Sequence, residues 1–327
     1  MAKRKIYLVT GCAGFIGSHV TEALLNSGNK VIGIDNFDPF YSMDLKKENL
    51  SHFIDHSRFN FFEGDISDKS SYTNLPKEID VVIHLAAKAG VRPSIENPDD
   101  YLRTNIIGTK TILDWMCTNK IKKMVFGSSS SVYGNNPKVP FEEEDKVDHP
   151  ISPYAFSKKS AELLNHLYHH LYDIDIINLR FFTVYGPRQR PDLAIRKFIQ
   201  LIQADQPITL YGDGSTSRDY TFIDDIVVGI LAASNYILSS NKVFETINIG
   251  NSQPIKLIEL ADIIYKVLNK SQQINYLPMQ DGDVNKTFAD ISKARKLLGY
   301  NPQISMKEGI INFIAWMEKQ SLKTLTK

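Results

Sequence analysis

The stretch Thr10-Gly11-Cys12-Ala13-Gly14-Phe15-Ile16-Gly17 decides the fold, because it spaces three glycines as GxxGxxG between an apolar strand-like run, Ile6–Thr10, and a helical one, Phe15–Asn26. Glycines at this spacing let the chain turn tightly and let a diphosphate approach the backbone, where the N-terminal end of the helix meets its charge. The other reading is a helix packed closely on Gly17 without a ligand. A second strand at 30–34 completes a βαβ unit and runs into Asp35, 18 residues beyond Gly17. A carboxylate there either bonds the adenosine ribose hydroxyls and repels a 2′-phosphate, favouring NAD over NADP, or caps the loop that follows.

The alternation continues outward from this unit. Strands are expected near 59–62, 80–85, 122–126 and Asp175–Phe181, with helices near 98–118 and 153–171. That order predicts an α/β protein with a Rossmann-type doubly wound parallel sheet. Beyond Arg180 the chain becomes punctuated by Pro and Gly, and 208–220 reads as a hairpin about Gly212-Asp213-Gly214. Helical patterning returns at 223–238, Leu257–Leu268, Ser292–Leu298 and 306–319, without a low-complexity linker. Two lobes sharing one interface are expected, with no internal repeat and no disordered tail. Residues 1–180, with a return segment at about 222–250, form the NAD-binding domain. Residues 181–221 and 251–327 form a smaller α/β substrate-binding lobe.

Composition narrows the functions available. At 327 residues and 43% hydrophobic content the chain supplies a core for both lobes. Its 38 Lys and Arg against 37 Asp and Glu leave no excess charge for nucleic acid or an anionic membrane, so any anionic ligand is held locally. Cys12 and Cys117 fit neither a disulfide framework nor a metal site, and no metal is expected. The basic start Met1-Ala2-Lys3-Arg4-Lys5 runs directly into a short apolar strand, giving neither a signal-peptide core nor a span; a cytoplasmic protein is expected.

Side chains at the expected strand ends supply the candidate site. Gly64-Asp65-Ile66 and Leu85-Ala86-Ala87 follow the third and fourth strands, where small or short polar residues line a cofactor groove. Asp65 reads equally as the cap of an Asx-turn. Phe15, Ile16 and Asn36 complete the expected cofactor set with Gly11, Gly14, Gly17 and Asp35. Tyr154 and Lys158, four apart in a helix, share one face. An ammonium beside a phenol, with a positive nicotinamide ring nearby, favours the phenolate and makes Tyr154 a usable base. After the fifth strand, Gly127-Ser128-Ser129-Ser130-Ser131-Val132-Tyr133-Gly134 places hydroxyls able to pass a proton between a substrate oxygen and Tyr154. Ser130 and Ser131 read equally as a polar loop capping itself.

These motifs, Gly11 to Gly17, Ser128 to Gly134, Tyr154 with Lys158, and Arg218-Asp219-Tyr220, resemble the extended short-chain dehydrogenases that act on nucleotide-sugars. The resemblance continues through Gly282-Asp283, Ala289-Asp290 and Leu298-Gly299-Tyr300. It implies that Ser129 is the catalytic Ser/Thr, that Lys158 also holds the nicotinamide ribose, and that the protein is a homodimer built on the helices near 98–118 and 153–171. Within the family, 4,6-dehydratases carry Thr-Asp-Glu or Thr-Cys-Glu before Val-Tyr-Gly, and glucuronate decarboxylases carry Glu at the position of Ser131. Here those positions are Ser129, Ser130 and Ser131, which leaves epimerisation at C4 through a transient 4-keto sugar.

The segments 35–41, 89–98 and 180–192 are similar to UDP-glucuronate 4-epimerases rather than galactose-type epimerases, with Thr183 in place of an Asn. The resemblance implies a contact from Thr183 to the sugar carboxylate, though Thr183 also reads as a strand residue satisfied by backbone. Arg218 and Arg190 are candidates for bidentate diphosphate contact, or else surface ion-pair partners. By resemblance Tyr211 lies against the uracil and Asp283 bonds its ribose, while Ser128, Ser129 and Ser130 face the sugar. Gln280 stands where galactose-type enzymes have an Arg, and Lys88 where Gln is common. Thr287 leaves room for a 2-acetamido group, so UDP-N-acetylglucosamine and UDP-glucose remain alternatives to UDP-glucuronate, as does dehydration or decarboxylation by an unrecognised acid.

Overall fold

The computed structural model describes residues 4–278 and 286–325. Its strands in chain order are β1 (Ile6–Thr10), β2 (Lys30–Asp35), β3 (Phe59–Glu63), β4 (Val81–His84), β5 (Lys123–Ser129), β6 (Asp175–Phe181), β7 (Thr183–Tyr185), β8 (Ile208–Tyr211), β9 (Ser217–Phe222), β10 (Phe244–Ile249), β11 (Pro254–Lys256) and β12 (Ile274–Leu277). The α-helices are α1 (Phe15–Asn26), α2 (Met43–Ser51), α3 (Val91–Glu96), α4 (Pro98–Tyr101), α5 (Gly108–Thr118), α6 (Pro153–Tyr172), α7 (Ala194–Gln203), α8 (Ile223–Ser239), α9 (Leu257–Leu268), α10 (Ser292–Leu298) and α11 (Met306–Leu325).

Seven strands form one parallel sheet in the order β3-β2-β1-β4-β5-β6-β10. Parallel sheets are covered on both faces, so their strands read as nearly continuous apolar runs. Alternate residues sort onto two cores: Val9, Val125 and Ile177 pack on the side of α1 and α8, and Leu8, Met124 and Ile176 on the side of α5 and α6. The strand order reverses between β1 and β4, and at such a switch point the carboxyl ends of the strands open a crevice.

The stretch 208–220 is not a hairpin. Strand β8 pairs in parallel with β12, while β9 pairs with β7 in parallel and with β11 antiparallel. Gly212 and Gly214 both adopt positive φ, 75° and 78°, and turn the chain from one small sheet into the other. Asp219 of the Arg-Asp-Tyr motif is the clasp: its carboxylate accepts from Asn251 N (2.8 Å), Ser252 N (3.0 Å) and Ala289 N (3.0 Å). Nor is 98–118 one α-helix. The π-helical turn Leu102–Ile107 divides α4 from α5. Among the described residues, no helix is long and apolar enough to cross a membrane.

Candidate active site

A cavity of about 500 Å³ opens at the carboxyl ends of β1, β4 and β5. Gly11, Gly14, Phe15, Ile16 and Gly17 line one end with Asp35, Asn36, Ile66 and 85–87; Ser128, Ser129, Ser130, Tyr154, Lys158, Thr183 and Arg190 line the other. Most of the side chains named from sequence are therefore gathered in one place.

At the glycine end the backbone itself shapes the wall. A Cβ on Gly17 would lie 2.0 Å from the Gly11 carbonyl oxygen, and one on Gly11 2.9 Å from the Ala86 backbone. Helix α1 starts without a side-chain cap and without an acidic residue in its first turn, so its leading N–H groups are left to a ligand. The fit to a dinucleotide diphosphate is good. Asp35 does more than end β2: its carboxylate accepts from Ala13 N (3.1 Å) and Phe37 N (2.9 Å), which fixes the glycine turn to the next loop. Burial pushes this carboxyl up, opposed by Lys46 and the same two N–H groups. The capping alternative for Asp35 thus describes part of its work, and the residue also borders the cavity.

At the other end, Tyr154 and Lys158 project from α6 as the four-residue spacing predicts. Lys158 donates to the Gly127 carbonyl oxygen at 2.6 Å, and burial pulls its ammonium down to about 8. The effect of Lys158 on Tyr154 expected from sequence is not the leading one. Burial pushes the Tyr154 phenol up, whereas hydrogen bonding to Ser129 and the Arg190 charge bring it down.

Several expected residues are committed elsewhere. Ser128 borders the cavity, but its hydroxyl donates to Glu162 at 2.6 Å, so it turns away from the sugar position. Ser129 accepts from Ser131 N (3.1 Å) and caps the turn Ser130–Tyr133. The Arg190 guanidinium is held bidentately by Asp192 (3.0 and 2.8 Å) and lies over the Phe40 ring. Asp65 accepts from Ser67 and Asn36, the Asx-turn alternative, and does not border the cavity. Tyr211 stacks under Arg92, 5.2 Å from its centroid, and Arg218 donates to Ser217 O, both outside the cavity lining. Thr287 is buried and accepts from Asp219 N. Asp283 and Gln280 lie outside the described residues.

Sequence reasoning missed the residue that ties the β4 loop to α6. Asn105, in the π-helical turn, accepts from Lys88 N (2.8 Å) and donates to Lys88 O and Ser157 Oγ (both 2.9 Å). A π turn gives Asn105 no periodic signal, although such turns gather at functional sites. Lys88 also has a physical role, pairing with Asp38 (3.3 Å) and Asp100 (3.1 Å) across the cavity mouth.

Comparison with known proteins agrees with this geometry. Residues 8–313 match the family model described as GDP-mannose 4,6 dehydratase. A UDP-glucuronate 4-epimerase of Thermodesulfobacterium geofontis is 44% identical over 317 residues, covering 96% of each chain. The crystal structure of UDP-glucuronic acid 4-epimerase from Bacillus cereus, in complex with UDP-glucuronic acid and NAD, superposes with a TM-score of 0.90 at 39% identity, covering 96% of this chain and 99% of that one. This chain belongs to the extended short-chain dehydrogenase/reductase family, in its nucleotide-sugar epimerase group. A UDP-N-acetylglucosamine 4-epimerase of Methanobrevibacter ruminantium is also similar, 33% identical with a TM-score of 0.88 and covering 97% of this chain and 99% of that one.

Proposed function

We propose that the chain is an NAD-dependent isomerase, a UDP-sugar 4-epimerase that interconverts UDP-glucuronate and UDP-galacturonate. The observation that carries this reading is the distribution of acids. Among the described residues, the carboxylates bordering the cavity are Asp35, which is bonded to the glycine turn, and Asp38, which is paired with Lys88, while Tyr154 shares its wall with serine hydroxyls. Elimination of water needs an added acid and base there; epimerisation needs one group that gives back the proton it takes.

Bound NAD supplies a reversible hydride acceptor for sugar C4. Gly11, Gly14 and Gly17 with the start of α1 would hold its diphosphate, and Asp35 with Asn36 its adenosine ribose. Tyr154 Oη takes the O4 proton, directly or through Ser129 Oγ, and returns it after the sugar has turned over. Ser130 and Thr183 border the sugar; Arg190, Arg218, Tyr211 and Asp283 are the proposed holders of the UDP portion, all in the lobe formed by 181–221 with 251–327, while the lobe formed by 1–180 with 222–250 takes NAD. The pairing of β10 with β6 supports that division.

The test is a substrate panel of UDP-glucuronate, UDP-glucose and UDP-N-acetylglucosamine, read by NMR and mass. UDP-glucuronate is expected to turn over fastest, to a product of unchanged mass. Loss of water or carbon dioxide, or preference for another sugar, overturns the assignment.

Two copies are proposed to pair through α6. Phe156, Leu163, Leu167 and Leu171 are all exposed and fall on one stripe, with Ile107 exposed nearby. Leu163→Glu with Leu167→Glu is expected to halve the sedimenting mass at micromolar concentration while circular dichroism stays unchanged. An unmodified chain that already sediments as a monomer refutes the pairing. In this reading the enzyme works in the cytoplasm, where the unpaired Cys12 and Cys117 stay reduced.

A further inference from the structure

Helix α6 presents a third charged residue in line with Tyr154 and Lys158. Glu162 follows Lys158 by four residues and is buried, 4% exposed. Its Oε1 accepts from Ser128 Oγ (2.6 Å) and Arg180 Nε (2.9 Å), and its Oε2 from Arg180 NH2 (2.9 Å). Ser128 and Arg180 face each other in register on β5 and β6. Arg180 is fixed in turn by Tyr133 OH (2.9 Å) and Glu143 O (3.3 Å), and Tyr133 donates to Asn248 on β10 (2.7 Å).

Three successive residues of β5 therefore meet three residues of one helical stripe. The Gly127 carbonyl accepts from Lys158, Ser128 donates to Glu162, and the Ser129 hydroxyl is the group that lowers the Tyr154 phenol. We propose that Glu162 is a positioning residue for the reaction: its bonds to Ser128 and Arg180 set the end of β5 against the Tyr154 and Lys158 face of α6, and its negative charge keeps the Lys158 ammonium charged. The inference rests on the epimerase reading of the same site.

Electrostatics support the second half. Burial lowers Lys158, and Glu162 is the charge that opposes it. The other groups around this stripe are accounted for. His84 on β4 faces Lys158, but burial and that ammonium pull it down to about 3, so it is neutral at working pH. Lys159 lies 3.7 Å from Glu162, Phe126 lies under Lys158, Tyr133 and Glu143 flank Arg180, and Arg190 and Tyr101 flank Tyr154. The sign follows directly: Lys158 is charged below its pKa, so removing the anion lowers that pKa and the ammonium is lost at lower pH.

Glu162→Gln alone strands a buried guanidinium and destabilises the fold. The test therefore uses the double variant Glu162→Gln with Arg180→Met, and separately Ser128→Ala, which cuts only the tie to the strand. NMR of lysine labelled with ¹³C at Cε, with the Lys158 signal assigned by its loss in Lys158→Met, reads the ammonium without any turnover. In the double variant its midpoint is expected to fall, by less than loss of the anion alone would give because the Arg180 charge goes with it, and the alkaline limb of kcat falls with it. Ser128→Ala is expected to lower kcat about 3- to 10-fold at unchanged KM. A folded double variant with the parent's lysine midpoint and alkaline limb overturns the proposal, and so does a Ser128→Ala enzyme with the parent's kcat. Failure of the epimerase reading looks different: the unmodified chain does not turn over UDP-glucuronate.

Discussion

Tyr154→Phe is expected to lower the turnover of UDP-glucuronate by at least about 10²- to 10⁴-fold, the usual contribution of a positioned acid and base, while NAD binding is kept. The substitution is clean because most of what places this side chain survives it. The Tyr154 backbone N–H donates to Ser94 Oγ at 3.1 Å, and the ring packs edge-on against Tyr101 with centroids 6.2 Å apart. Phenylalanine keeps both contacts and loses only the hydroxyl. Burial holds that phenol above its ordinary range, with Ser129 and Arg190 working to bring it down. Rates of UDP-glucuronate conversion with a fluorescence titration of NAD decide the matter. Retention of more than a few per cent of the parent rate removes Tyr154 from the role of base.

The second large effect is expected at Gly17→Ala. Its added Cβ would lie 2.0 Å from Gly11 O, 2.7 Å from Gly11 C and 3.1 Å from Cys12 Cα, all backbone atoms that no rotamer change can move aside. Relief requires the glycine turn to shift, yet Gly11 N donates to Ile34 O (2.8 Å) and Gly14 N to Gly11 O (3.0 Å), which tie that turn to β2 and to itself. A stability loss of about 1–3 kcal/mol or more is expected, and NAD affinity falls with the displaced helix start. Gly28→Ala is the control, because it has positive φ (84°) but nothing within 4 Å of the added atom. That variant should lose about 1 kcal/mol of stability and leave NAD affinity intact. Thermal melts and NAD calorimetry on both variants check the contrast; normal NAD binding by Gly17→Ala refutes the clamp.

Features carried by local spacing were legible in the sequence. The βαβ unit about Gly11, the strand Asp175–Phe181 and the helices Leu257–Leu268 and Ser292–Leu298 have strong apolar periodicity and explicit breakers. The glycine turn, Asp35, Tyr154 and Lys158 all sit at element ends that such periodicity locates. What escaped depends on contacts between distant segments. Gly212 and Gly214 suggest a hairpin until β8 finds β12, more than sixty residues later, and β9 finds β7 and β11. Helix α7 has Ile195, Phe198, Ile199 and Ile202 at helical spacing, but Pro- and Gly-rich surroundings conceal it. Ser128 reads as one more active-site hydroxyl because nothing in the linear order announces Glu162 and Arg180 beneath it. Asn105 needs an extra residue in its helical turn to reach Lys88 and Ser157, and no repeat of 3.6 predicts that.

The place of β10 at the edge of the main sheet has a consequence for how the protein is made. A ribosome delivers β1 to β6 well before residue 249, so while residues 182–249 are being added the outer backbone groups of Asp175–Phe181 wait without their partner strand. An exposed, apolar strand edge invites pairing with other nascent chains. Codon changes or truncations that delay or remove 244–249 should therefore lower the soluble yield more than comparable changes within the first lobe.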